Sequence, residues 1–149
     1  VVNVASEAHR GATLDFADLQ STRHYGGWRA YKRSKLANIL FTRALARRLS
    51  GSGVTANCLH PGFVATRFGD NNGGWFRPAI WLAKRFMAIP PEAGRATPVH
   101  LASSPEVEGQ SGLYFDNCRP REPTAAAQDD ESAERLWRES ARLCGRGVD

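Results

Sequence analysis

A helical run set between two short apolar runs constrains this chain most. Val1 to Ala5 alternates and is rich in β-branched residues, as expected of a short buried strand ending at Ser6. From Trp28 to Leu49 the apolar residues Tyr31, Leu36, Ile39, Leu40, Ala44 and Leu45 recur at helical spacing, with Arg and Lys between them. Gly51-Ser52-Gly53 stops this helix. Val54 to Leu59 then reads as a second strand closed by His60-Pro61-Gly62, since proline cannot extend a central strand and glycine permits a sharp turn. Strand, helix and strand in that order is the alternation of a parallel α/β sheet.

The remaining segments extend the pattern. Glu7 to Gly27 is polar and reads as a long loop with a short turn at Phe16 to Leu19. Trp75 to Ile89 interleaves Trp75, Phe76, Ile80, Trp81, Leu82, Phe86 and Met87 with Arg77, Lys84 and Arg85, an amphipathic segment rich in aromatics. Pro90-Pro91-Glu92 opens a helix to about Ser103, which Thr97-Pro98 should kink or weaken. Gly112 to Phe115 is a third strand, and Arg119 to Gln128 a Pro/Ala-rich loop. Asp129 to Cys144 is a helix capped by Asp129 or Asp130, with Leu136, Trp137, Ala141 and Leu143 inward.

At 149 residues and 42% hydrophobic content the chain has the size and apolar surface of one domain with a buried core. No uncharged apolar run of about 18 residues is present to span a bilayer. The only methionine is Met87, and a chain that opens on a strand reads as a piece of something longer. Cys58, Cys118 and Cys144 are odd in number and widely spaced. That argues against a disulfide framework and a zinc site, and for a cytoplasmic or cytosol-facing setting. The net charge of +5 is uneven, because residues 1–74 carry ten Lys/Arg against four Asp/Glu. Such a field steers anionic partners without specifying them. With no motif behind it, no nucleic acid is expected as a partner.

The candidate chemistry lies in Tyr31-Lys32-Arg33-Ser34-Lys35, because side chains four apart on a helix share a face. Taken alone the spacing also fits a core tyrosine beside a snorkelling lysine. Three motifs in sequence are more specific: Val2-Asn3-Val4-Ala5-Ser6, then Tyr31 to Lys35, then His60-Pro61-Gly62-Phe63-Val64-Ala65-Thr66. In this order they resemble the short-chain dehydrogenases/reductases. The continuation Ser34-Lys35-Leu36-Ala37-Asn38-Ile39-Leu40-Phe41, the run Ala46-Arg47-Arg48-Leu49 and Gly51-Ser52-Gly53-Val54-Thr55 are similar to the retinol dehydrogenase-like branch. That branch shares the long separation of Ser6 from Tyr31.

The resemblance implies the last three strands of a partial Rossmann-like, doubly wound parallel sheet with flanking helices. Residues 1–149 would form the C-terminal catalytic half, with the dinucleotide-binding half absent. It also implies hydride transfer between NAD or NADP and an alcohol or carbonyl, a retinoid or other hydrophobic compound, and the branch favours NADP. In that scheme Tyr31 passes the proton, Ser6 donates to the reacting oxygen, and Lys35 assists Tyr31 and bonds the nicotinamide ribose. Pro61-Gly62 lies under the nicotinamide ring, with Val64 backbone and the Thr66 hydroxyl at its carboxamide. A phenol titrating near 10 needs about 4 kcal/mol of preference for its ionised form to work near pH 7. One cation about 4 Å away supplies that at an effective dielectric near 20. His60, at a strand end, is given no catalytic role.

By the same resemblance residues 69–90 form a substrate lid, and Trp75 to Met87 there also suits a membrane surface or a subunit contact. A homodimer is expected by analogy. The glycine-rich turn that cradles the pyrophosphate is missing, so the isolated polypeptide is expected to be inactive, and the acidic or basic residue that selects NAD or NADP is missing too, so cofactor preference is unreadable. Three parallel strands would expose a sheet edge, which favours pairing with another chain. The competing reading is a non-catalytic protein- or membrane-interaction module derived from such an enzyme.

Overall fold

Parallel strands cannot be joined by a tight turn, and a 22-residue helix makes the first crossover. The computed structural model describes residues 1–62 and 94–147. In it β1 (Val2–Val4) runs parallel to β2 (Asn57–His60), and β2 parallel to β3 (Tyr114–Asp116). β4 (Arg119–Arg121) pairs antiparallel with β3, giving the strand order β1-β2-β3-β4. The helices are α1 (Gly27–Arg48), α2 (Ala96–Ser103), α3 (Ala125–Gln128) and α4 (Asp130–Leu143). Short 3-10 turns stand at Glu7–His9 and Pro105–Val107.

Successive strand residues face opposite sides of the sheet, and the two cores follow that period. Cys58 and Tyr114 face one side, packed with Leu36, Ile39, Leu40 and Ala44 of α1 and with Ala127, Ala133 and Leu136 of α3 and α4. Leu59 and Phe115 face the other, packed with Leu101 of α2 and with Val107. Helices thus cover both faces, the doubly wound arrangement expected for this α/β chain. Asn57 is buried but satisfied, since its Nδ2 donates to the Gln110 carbonyl at 2.8 Å and its Oδ1 accepts from Leu113 N at 3.0 Å.

Several elements differ from the expectations. The segment read as a loop after Asp116 holds β4 and α3. Asn117 and Cys118 have φ of 49° and 61°, the two positive values of a two-residue hairpin turn. Pro120, which lacks an N–H, sits opposite Phe115 on the outer strand, where a missing donor is tolerated. Thr97-Pro98 falls in the first turn of α2, where proline's missing donor has no intrahelical acceptor to lose, and a turn at Arg95 interrupts the helical backbone just before it. Asp129 caps α4, its Oδ1 accepting from Glu131 N at 3.1 Å. Leu143 turns outward at the last residue of α4. β1 is less covered than expected, with Val4 48% exposed.

The proposed lid over residues 69–90, the Trp75–Met87 segment, the helix start at Pro90, and Val64 and Thr66 all lie outside the described residues. Among the described residues no helix is long and apolar enough to cross a membrane.

Candidate active site

Adjacent parallel strands deliver their following loops to the same end of the sheet. Val4 pairs with Leu59, and Ala5 N donates to the Leu59 carbonyl at 2.8 Å, so Ser6 and Pro61-Gly62 leave the sheet side by side. This carboxyl-end crevice is where open α/β sheets bind ligands. Gly62 has φ of 80°, a left-handed value that glycine adopts without strain, so the turn after β2 is built for this residue.

α1 brings the tyrosine and lysine to the same place. Lys35 Nζ donates to the Val4 carbonyl at 3.2 Å, and Asn38 Nδ2 donates to that oxygen at 3.0 Å. One turn further, Thr42 Oγ1 accepts from Asn3 Nδ2 at 2.9 Å. These three bonds fix the register of α1 along β1. Lys35 Nζ also lies 5.5 Å from the centroid of the Tyr31 ring, as residues four apart on one helix face should. An ammonium has three hydrogens, so the bond to Val4 leaves two for other acceptors. The Trp28 ring stacks on Tyr31 at 5.6 Å and 23° while remaining 64% exposed.

Ser6 serves as a turn cap: its Oγ accepts from Ala8 N at 3.1 Å, opening the 3-10 turn at Glu7–His9. Accepting leaves its own hydrogen available to donate. Of the seven residues expected to form the site, Ser6, Tyr31, Lys35, Pro61 and Gly62 are thus described. Tyr31 and Lys35 are in direct contact, and Lys35 reaches the strand end from which Ser6 departs.

A polar layer behind Ser6 escaped the sequence reading. His9 is fully buried; its Nδ1 lies 2.7 Å from the Ser6 carbonyl, and its Nε2 accepts from Thr124 N at 3.4 Å. Those two bonds require the proton on Nδ1. The ring meets Tyr114 edge-on at 5.3 Å. Tyr114 Oη donates to Glu7 Oε1 at 3.3 Å, and Glu7 N donates to His60 Nδ1 at 3.4 Å. Burial pushes the Tyr114 phenol up, and the Glu7 carboxylate adds to this. Burial also raises Glu7, but the hydrogen bond and charge of Arg10 outweigh it, so the carboxyl lies below its ordinary range. Burial holds the His60 imidazole low against the opposing pull of Asp116 and Glu7. His60 therefore ties β2 to the Ser6 turn.

Residues 2–75 match the sequence profile of the short chain dehydrogenases. Over 97% of its length the chain is 42% identical to retinol dehydrogenase 13 and 43% identical to retinol dehydrogenase 14, both of Homo sapiens. The chain belongs to the short-chain dehydrogenase/reductase family. It covers 45% and 44% of those two proteins, so it spans a little under half the length of these relatives. Among other members, it is 44% identical to dehydrogenase/reductase SDR family member 13 of Bos taurus, covering 99% of this chain and 40% of that one. The crystal structure of an uncharacterized protein from Mycobacterium paratuberculosis superposes with a TM-score of 0.72 at 27% identity, over all of this chain and 51% of that one.

Proposed function

We propose that the protein transfers hydride between a nicotinamide dinucleotide and a hydrophobic alcohol or carbonyl compound, with Tyr31 as the proton-transfer group. The observation that carries this reading is Lys35 Nζ lying against the Tyr31 ring while bonded to the Val4 carbonyl, two residues before Ser6. Nicotinamide, when bound, supplies or accepts the hydride.

Tyr31 gives its phenolic proton to the substrate oxygen during reduction and takes one during oxidation. Lys35 stands beside that phenol, and its remaining N–H groups suit the ribose hydroxyls of the cofactor. The Ser6 hydrogen, left free by the cap, donates to the reacting oxygen as charge gathers there. The Pro61-Gly62 turn underlies the nicotinamide ring, its left-handed Gly62 keeping that surface free of a side chain. By resemblance Val64 and Thr66 hold the carboxamide. The names of the relatives favour a retinoid among hydrophobic substrates, and the exposed ring of Trp28 offers such a substrate an apolar wall. Free thiols at Cys58, Cys118 and Cys144 fit a reducing, cytosol-facing setting. Pairing with a second copy follows by analogy with the family.

Separate titrations of NADPH and NADH, followed by cofactor fluorescence, test the reading. Saturable binding that weakens about tenfold or more in Lys35→Met is expected, the size of one lost charge-assisted bond. Binding indifferent to Lys35 would reject this assignment, whereas absence of binding would assign the activity to a longer chain.

A further inference from the structure

α1 carries seven basic side chains, and six of them have an acceptor. Arg43, Arg47 and Arg48 pair with Asp130 and Glu134, Lys35 bonds the Val4 carbonyl, Arg29 bonds the His24 carbonyl, and Arg33 reaches Ser21 Oγ at 3.4 Å and Asp15 at 3.9 Å. Among the described residues Lys32 alone has none, although it is partly buried. An ammonium with no anionic partner keeps its N–H donors available to an anionic ligand.

Lys32 borders a cavity of about 290 Å³ between the chain at Gly11–Thr13 and the first turns of α1, lined also by Trp28, Arg29 and Arg33. Among the described residues no acidic side chain lines it. Its floor depends on Gly11, whose φ of 67° is left-handed and where a Cβ would stand 3.3 Å from Lys32 Nζ. Glycine there gives the ammonium access to the cavity. On one side stands the largely exposed Trp28 ring, which also stacks on Tyr31. Three cations, of which only Arg33 has a carboxylate nearby, Asp15 at 3.9 Å, and a flat apolar wall are complementary to a planar ligand carrying a negative group.

We propose that this cavity binds the carboxylate, sulfate or phosphate of a small ligand whose planar part lies on Trp28. Lys32 supplies the unpaired charge, Arg29 and Arg33 flank it, and Trp28 holds the ring. Because Trp28 is shared with Tyr31, a ligand seated here lies beside the candidate centre. The site shares the Trp28 ring with the substrate wall proposed above, but its anion preference rests on Lys32 and the cavity and stands or falls separately from the proton transfer assigned to Tyr31.

Calorimetric titration of 2-naphthoate, 2-naphthyl phosphate and the neutral 2-naphthalenemethanol into the protein tests this. Both anions should bind once per chain, about tenfold or more tighter than the alcohol at low salt, the scale of one charge-assisted bond. Lys32→Met should abolish that preference, Arg29→Gln should reduce it, and Trp28→Ala should weaken all three compounds alike. A carboxylate-only or phosphate-only preference would identify the anion class. Equal binding of the acid and the alcohol, no saturable binding, or a preference unchanged in both the Lys32→Met and Arg29→Gln variants would overturn the proposal.

Discussion

The two ends of α1 have the same composition and opposite fates. At its C-terminal end Arg43, Arg47 and Arg48 are locked to Asp130 and Glu134 of α4 at 2.6 to 2.9 Å, and Arg48 also lies over the Trp137 ring at 4.3 Å. At its N-terminal end Lys32 has no partner among the described residues, Lys35 holds one carbonyl with two hydrogens to spare, and Trp28 and Tyr25 are 64% and 78% exposed. Charge spent on a neighbouring helix fixes architecture, whereas charge left partly unspent beside a crevice is available to ligands. A basic helix face is therefore not one feature. Acidic residues on the opposing element decide which of its cations are structural.

Three substitutions sharpen that contrast. Lys35→Met should lower kcat/KM by about 10²- to 10⁴-fold, the range of a lost participant in proton transfer, while the thermal midpoint barely moves. A large fall in melting temperature with intact turnover would place Lys35 with the structural arginines instead. His9→Leu should destabilise the protein by about 1–3 kcal/mol in urea unfolding, because it removes the buried partner of both the Ser6 carbonyl and Thr124 N.

Glu134→Gln should cost under about 1 kcal/mol, since the Glu134 side chain is 37% accessible and its ion pairs are screened by water. Its pH dependence is more telling. Hydrogen bonds from Arg48 and Arg47 hold the Glu134 carboxyl at about 2, and one from Arg43 holds Asp130 below its ordinary range. A carboxyl lowered by folding contributes stability that is complete above its unfolded value, about 4.3 for glutamate. That contribution is lost as pH falls from there toward 2. Acid unfolding of Glu134→Gln should therefore be less steep than that of the parent between those limits, with turnover near neutrality unchanged.

Much of this arrangement was legible in the sequence because it depends on short spacings. The Tyr31–Lys35 contact is a property of one helix, and the strand–helix–strand order carries Ser6 and Pro61-Gly62 to one end of the sheet without further information. What was missed depends on contacts between distant segments. His9 looks like an ordinary loop residue until Thr124, 115 positions away, arrives against its Nε2. β4 was hidden because Arg119-Pro120-Arg121 has neither apolar alternation nor a full set of donors; only the Asn117-Cys118 turn and the edge position make a strand of it. The pairing of α1 arginines with α4 likewise arises from helix packing, so the sequence showed a basic face without showing which of its charges were neutralised.

The central claim is that Tyr31 transfers the proton, and single-turnover kinetics of Tyr31→Phe with NADPH and retinal test it most directly. Loss of about 10²-fold or more in the rate of NADPH oxidation, with cofactor affinity within about twofold of the parent, is the expected result. A Tyr31→Phe protein that turns over at the parental rate would contradict the assignment.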